Sequence, residues 1–228
     1  MRLFNLIITR AKNVDPSERL SSARQLILEK CDFLVDVGAN DGQWVSDVKR
    51  QGFKGNVLCI EPLKESYIKL KSRKLNNVTA INCAVGNMDG VIYLNKASNN
   101  GLSSSILELN SYHIAAAPEI NYISKEKVKI VRMSKILKAH RYKKIFVKID
   151  TQGYEIEVLR GLNKKNFSDI YGFQIEVNLV ETYKSCTLIE NIIEFLNSKG
   201  YRPFRIENGF GMPKFGQQLQ ADILFIKV

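Results

Sequence analysis

A chain that sets a glycine turn directly behind an apolar run, and a helical pattern directly behind the turn, has few folds open to it. Here Phe33-Leu34-Val35 leads into Asp36-Val37-Gly38-Ala39-Asn40-Asp41-Gly42, and residues 43–50 follow with Trp44, Val45 and Val48 on one helical face. Strand, turn, helix is the opening unit of an open α/β sheet, whose ligands sit beyond the carboxyl ends of the strands. Gly38 and Gly42 carry no Cβ, so backbone can approach a ligand, and the helix start offers unpaired N–H groups. The turn therefore predicts a cradle for a small polar ligand.

The same unit recurs along the chain. Residues 56–60 read as a second strand ending at Glu61, and Pro62 suits the first position of a helix over 63–74. Val78 to Ile81 is a third strand, followed by Asn82-Cys83-Ala84. Asp89-Gly90 predicts a tight hairpin whose second strand covers 91–94, and 99–105 is a polar loop containing Ser104. A strand over 127–131 and a short helix over 133–140 precede Ile145 to Ile149, a fourth main strand that ends at Asp150. After a helix carrying Ile156, Val158, Leu159 and Leu162 comes a fifth strand over 170–177, with Glu176 and Asn178 near its end and Tyr183 beyond. A helix over 188–196 with Gly200 as its cap leads to a closing hairpin of strands at 201–206 and 221–228. Residues 1–30 predict one or two helices with Leu20, Ala23, Leu26, Ile27 and Leu28 as the apolar stripe. No repeat or linker divides the chain, so a single domain over 1–228 is expected: an N-terminal helical extension (1–30) and an α/β core (31–228).

Composition narrows the class. A chain of 228 residues, 45% hydrophobic and 25% charged, can bury a full core and is neither disordered nor membrane-embedded in character. Cys31, Cys59, Cys83 and Cys186 include no Cys-x-x-Cys pair, which excludes a zinc framework and a disulfide scaffold and suits a reduced, cytoplasmic protein. The first ten residues hold too short an apolar run for a signal peptide, and no transmembrane segment is expected. The net charge of +11, dense between Lys125 and Lys144, could serve nucleic acid, anionic lipid or an anionic substrate, or be a solvated face.

The glycine spacing separates the cofactor classes. A dinucleotide site needs Gly-x-Gly-x-x-Gly for a pyrophosphate, whereas this turn is Gly38-x-x-x-Gly42, and no Gly-Lys-Ser or Gly-Lys-Thr loop exists. Glu61, about 20 residues past the turn, stands where an acid accepts both ribose hydroxyls of an adenosine cofactor. Acceptors at Asp36, Glu61 and Asp150 without a phosphate nest suit S-adenosylmethionine.

Several stretches together resemble one family. Asp36-Val37-Gly38-Ala39-Asn40-x-Gly42, Glu61-Pro62, Asn82-x-Ala84 with Asp89-Gly90, Lys148-Ile149-Asp150-x-x-Gly153-x-Glu155-x-x-Val158-Leu159-x-Gly161, Glu176 and Leu219 to Phe225 are similar to the FkbM family of S-adenosylmethionine-dependent methyltransferases. The resemblance implies a Rossmann-like class I methyltransferase fold: a mainly parallel seven-stranded sheet, helices on both faces and one C-terminal antiparallel strand. It implies that Asp36, Gly38, Ala39, Asn40 and Gly42 surround the methionine end of the cofactor, that Glu61 holds the ribose, and that Asn82, Cys83 and Ala84 flank the adenine. It also implies O-methylation of a hydroxyl on a sugar, glycan or related natural product. Thr151-Gln152 departs from the Val-Glu of many members, and Arg132-Met133-Ser134-Lys135 replaces the usual Thr-Leu-Asp.

A hydroxyl is a poor nucleophile until its proton leaves, and general-base help adds about 10²–10⁴-fold. Asp150 is the expected base, or the group that fixes the cofactor's methionine, and Glu176 is the second catalytic candidate. Asn178, Tyr183, Ser104 and His113 are the substrate-contact candidates. No metal is expected, although Asp150, Glu176 and Asn178 could hold a divalent ion. The expected partner is a carbohydrate or glycan acceptor, anionic and lipid-linked ones included. Two alternatives stand: a nucleic-acid methyltransferase, and a non-catalytic adenosyl-ligand binding module. The charge favours the first, but Asp150-Thr151-Gln152-Gly153 is not the Asn-Pro-Pro-Tyr turn of amine methylation, so no nucleic acid is expected.

Overall fold

The structure is a computed structural model that describes residues 29–142, 144–212 and 216–228. Apart from its last two residues, the expected N-terminal extension lies outside the described residues. From Phe33 onward, strands and helices alternate in the order the apolar runs predict. Strand β1 (Phe33–Val37) leads to helix α1 (Gln43–Arg50), β2 (Asn56–Ile60) to α2 (Lys64–Ser72), and β3 (Val78–Ile81) completes the first half. Then come β4 (Ala84–Gly86), β5 (Gly90–Ala97), α3 (Ser111–Ala116), β6 (Tyr122–Arg132) and α4 (Met133–Lys138). The second half holds β7 (Ile145–Ile149), α5 (Glu155–Arg160), α6 (Lys164–Asp169), β8 (Ile170–Asn178), α7 (Ile189–Ser198), β9 (Tyr201–Asn208), β10 (Gly211–Met212), β11 (Gln217–Gln218) and β12 (Gln220–Lys227). Helix α2 starts one residue later than expected: Leu63 is its cap, and Pro62 precedes it.

The main sheet has seven strands in the order β3-β2-β1-β7-β8-β12-β9. The first five are mutually parallel, whereas β12 runs antiparallel to both β8 and β9, so the sheet is mixed. All five residues of β1 and of β7 are buried, as strands covered on both faces must be. One face packs Val35, Val37, Ile60, Val147, Ile149 and Ile175 against Ile156 and Leu159 of α5 and Ile192 and Leu196 of α7. The other packs Leu34, Val57, Cys59 and Phe146 against Val45 and Val48 of α1 and Leu70 of α2. The chain leaves β1 for β2 and returns to β7 on its other side, so the crevice of the fold opens beyond the ends of these two strands. Among the described residues no helix is long and apolar enough to cross a membrane.

A second sheet departs from the expected hairpin. Strands β4 and β5 do not pair with each other; β6 lies between them, parallel to β4 and antiparallel to β5, with Ile130 opposite both Ala84 and Gly90. Its eleven residues supply Val128 and Ile130 to a small core with Leu63, Ala84 and Leu94, which a two-residue turn alone would leave uncovered. Asp89 accepts the Arg132 N–H at 3.1 Å, holding the turn against the far end of β6.

Candidate active site

The cleft begins where β1 and β7 end side by side. Asp150 N–H donates to the Val37 carbonyl at 3.0 Å, and Gly38 turns away with φ +79°. A Cβ on Gly38 would lie 1.8 Å from the Asp150 carbonyl oxygen, so glycine alone allows this approach. The Gly38 and Ala39 amides both donate to the Ile60 carbonyl, which draws the turn over the end of β2. Glu61 is buried there and receives the Asn40 N–H on Oε2 at 2.7 Å and the Leu63 N–H on Oε1 at 2.8 Å. Burial pushes its carboxyl up to about 7, against the pull of those two amides. Val37, Gly38, Asn40, Ile60, Glu61, Cys83, Ala84, Ser104, Asp150 and Gln152 line the cleft, with Leu94, Leu102, Ile106 and Tyr154 across from them.

Four expected cofactor contacts lie elsewhere. Alternation along β1 puts Asp36 on the α1 side of the sheet with Leu34, whereas the cleft opens on the Val37 side. Its carboxylate is fully buried, the Lys148 ammonium stands 3.7 Å from Oδ1, and burial pushes the carboxyl up to about 6. Ala39 is buried without lining the cleft, and Gly42 caps α1 with φ +89°, where a Cβ would meet Leu70. The Asn82 amide fastens the turn after β2 by donating to the Glu61 and Pro62 carbonyls at 2.9 and 2.8 Å.

Asp150 and Gln152 line this end of the cleft, and behind them lies a polar corner. Asp150 Oδ2 receives Lys148 Nζ at 3.0 Å, and its Oδ1 receives Gln152 Nε2 at 2.7 Å. The same Gln152 nitrogen donates to Glu176 Oε2 at 2.7 Å, and the Tyr183 hydroxyl donates to Gln152 Oε1. Gln220 Nε2 bridges Glu176 Oε2 at 2.9 Å and Asn178 Oδ1 at 3.2 Å, and the Thr182 hydroxyl also donates to Asn178 Oδ1. Asp150, Glu176, Asn178 and Tyr183 thus meet in one network, but Asn178 and Tyr183, expected to touch substrate, are fully buried and do not line the cleft. Burial, with Asp150 and Asp222 close by, raises Glu176 well above the usual carboxylate range. Burial opposes the charge on Lys148, but Asp150 and Asp36 outweigh it and keep the ammonium protonated.

His113 is not part of this network. It is buried against the rings of Tyr183 and Phe210 at 5.3 and 5.1 Å, neither ring nitrogen has a hydrogen-bond partner among the described residues, and burial lowers its pKa. Sequence reasoning missed Gln152, Gln220 and Glu155. The Glu155 carboxylate is pushed up to about 7 by burial and ties the turn after β7, taking the Thr151 N–H and hydroxyl and the Gly153 N–H at 2.9 to 3.0 Å. A visible signal did exist for Lys148, a lone charge inside an apolar strand. Among the described residues no three His, Cys, Asp or Glu side chains gather as a metal site.

Strand order, the glycine approach to β7 and the acid at the end of β2 define a class I S-adenosylmethionine-dependent methyltransferase. The sequence matches the methyltransferase FkbM domain over residues 36–203, and the chain belongs to that family. Among solved structures it is similar to an rRNA methylase from Streptococcus thermophilus, at 8% identity over 96% of this chain and 99% of that one, with a TM-score of 0.51. It is also similar to Aeropyrum pernix fibrillarin in complex with S-adenosyl-L-methionine, at 11% identity over 92% and 74% of the two chains, with a TM-score of 0.50. These likenesses show a shared fold. No curated protein matches the sequence.

Proposed function

We propose that this methyltransferase acts on a hydroxyl oxygen of a sugar, glycan or related natural product. When bound, S-adenosylmethionine supplies an electrophilic methyl group. The residues of the cleft suit it: Glu61, held by the Asn40 and Leu63 amides, offers acceptors for ribose hydroxyls, and Val37, Ile60, Cys83 and Ala84 offer apolar walls for a flat base. Gly38 keeps the approach to Asp150 free of a side chain.

The observation that carries the acceptor class is the polar corner, where carboxylates and amides at 150, 152 and 176 stand in a half-buried wall. Such a wall suits a polyol, whose hydroxyls both donate and accept. Orientation of the acceptor contributes up to about 7–11 kcal/mol. Both Asp150 oxygens already take donors, Lys148 Nζ on Oδ2 and Gln152 Nε2 on Oδ1, so it serves to orient. Among the described residues Glu176 receives amide donors on Oε2 and none on Oε1, so once the carboxyl is ionised Oε1 is open to the hydroxyl proton. This makes Glu176, rather than Asp150, the better base.

Incubation with methyl-tritiated S-adenosylmethionine and separate pools of neutral sugars, acidic sugars, lipid-linked glycans and total RNA tests the reading. Ether-linked label on a sugar is expected. Label carried by RNA and by no sugar pool would reject it.

A further inference from the structure

We propose that the outer face of the β5-β6 ladder docks onto an anionic bilayer surface. Strand β6 alternates: Val128 and Ile130 point into the small core, while Ile123, Lys125, Lys127 and Lys129 point outward. Across the ladder, Val91 stands opposite Lys129 and Tyr93 opposite Lys127. Val91 and Tyr93, 56% and 61% exposed, stand together beside Lys129 and Lys127, and Ile123, 58% exposed, lies farther along β6 beyond buried Asn95. Single exposed apolar residues are ordinary, but a group of them rimmed by one sign of charge marks a contact surface.

The lysines are uncompensated. Among the described residues Lys127 and Lys129 form no ion pair, and Lys125 reaches Glu108 at 3.5 Å with both ends largely in water. Ammonium groups on flexible stems can reach headgroup phosphates while the aliphatic and aromatic tips enter the boundary below them. Each lysine near such a surface adds attraction that salt screens. A single-stranded nucleic acid would engage the lysines and Tyr93 but would leave Ile123 and Val91 in water, so the bilayer is the better complement.

The inner side of the same ladder forms a wall of the cleft through Leu94, with Ala84 of β4 beside it. Docking therefore brings the cleft beside the bilayer. Resting on the sugar-hydroxyl reading, the acceptor would then be a glycan carried on a lipid and presented at that surface.

The full chain is sedimented with vesicles of phosphatidylcholine alone and of phosphatidylcholine mixed with phosphatidylglycerol. Binding to the mixed vesicles, loss of that binding as salt rises, and weakening on the order of tenfold or more in Lys127→Glu/Lys129→Glu are expected. Val91→Ser/Ile123→Ser should weaken binding as well, with both double variants keeping the wild-type melting temperature and S-adenosylmethionine isotherm. Equal binding to both vesicle types, or unchanged binding by the charge-reversed variant, overturns the proposal. So does polyuridylate binding that the same variant abolishes while the vesicles stay unbound. Vesicle binding needs no acceptor, so a negative result here leaves sugar methylation standing, and a failed sugar assay leaves the docking face standing.

Discussion

Gln152 donates its side-chain amide to Glu176 Oε2 at 2.7 Å, which ties the turn after β7 to the end of β8. The same nitrogen serves Asp150, and the amide oxygen is taken by Tyr183. An amide with every polar atom committed is neutral and fixed, and this lets two carboxylates share one corner.

Gln152→Glu would set a third carboxylate between those two and remove the shared donor. Its melting temperature should fall below wild type, and the deficit should widen as pH rises from 5 to 8, because ionising all three acids becomes steadily more costly. Gln152→Met should lose about 1–3 kcal/mol from the unmet acceptors, with a smaller slope. Thermal melts across pH decide this; a Gln152→Glu deficit independent of pH would contradict it.

Lys148→Met should be severely destabilising. It strips the counter-ion from fully buried Asp36 and from Asp150, and breaking a buried pair costs about 3–5 kcal/mol. Adding Asp36→Asn should recover part of the loss, since the orphaned charge is then gone. Urea unfolding of the single and double variants measures the coupling.

Glu61 gives stability and ligand binding opposite pH slopes. Its carboxyl sits near 4.5 when unperturbed and about 7 in the folded chain, as do those of Asp36 and Glu155 at about 6 and 7 in place of 3.8 and 4.5. Between these values the folded state holds more protons than the unfolded one, so stability falls as pH rises from about 4.5 to 7. Ribose hydroxyls prefer the ionised form, so S-adenosylmethionine affinity should rise over pH 6 to 8. Calorimetric titrations should show that rise in wild type and its loss in Glu61→Gln.

Gly38→Ala should fail for lack of space. The new methyl would collide with the Asp150 carbonyl oxygen and occupy a left-handed backbone position, so β1 and β7 must separate or the turn must unwind. A loss of at least about 1–3 kcal/mol is expected from strain alone. Melting temperature and cofactor titration read it; wild-type values for both would mean the two strand ends are not this close.

Glu176→Gln should lower kcat by about 10²–10⁴-fold with little change in S-adenosylmethionine affinity, as removal of a general base does. Asp150→Asn should weaken cofactor or acceptor binding more than turnover. Comparing kcat and KM for the pair, once a sugar acceptor is in hand, separates base from orienter.

Much of this was legible locally. The apolar runs at 33–37, 56–60 and 145–149 announced buried parallel strands, and the acids at their ends announced a ligand-bearing rim. Asp36 was misplaced because a strand buried on both faces shows no alternation from which to read the side it faces. The hairpin at 87–90 was misread for a related reason: Asp-Gly announces a turn but not which strand its flanks will choose. His113 illustrates the limit for side chains, since nothing nearby in sequence says that Tyr183 and Phe210 will enclose it.

By itself the sequence determined the succession of β-α units, the glycine turn behind β1, and the acid at the end of β2, because periodicity and turn chemistry act over a few residues. Tertiary structure alone decided which polar groups meet. Gln152, Glu176 and Gln220 are separated by 24 and 44 positions, and they converge because β12 inserts antiparallel beside β8. Strand pairing is set by covering two apolar faces at once, and that requirement involves the whole sheet rather than any one stretch of it.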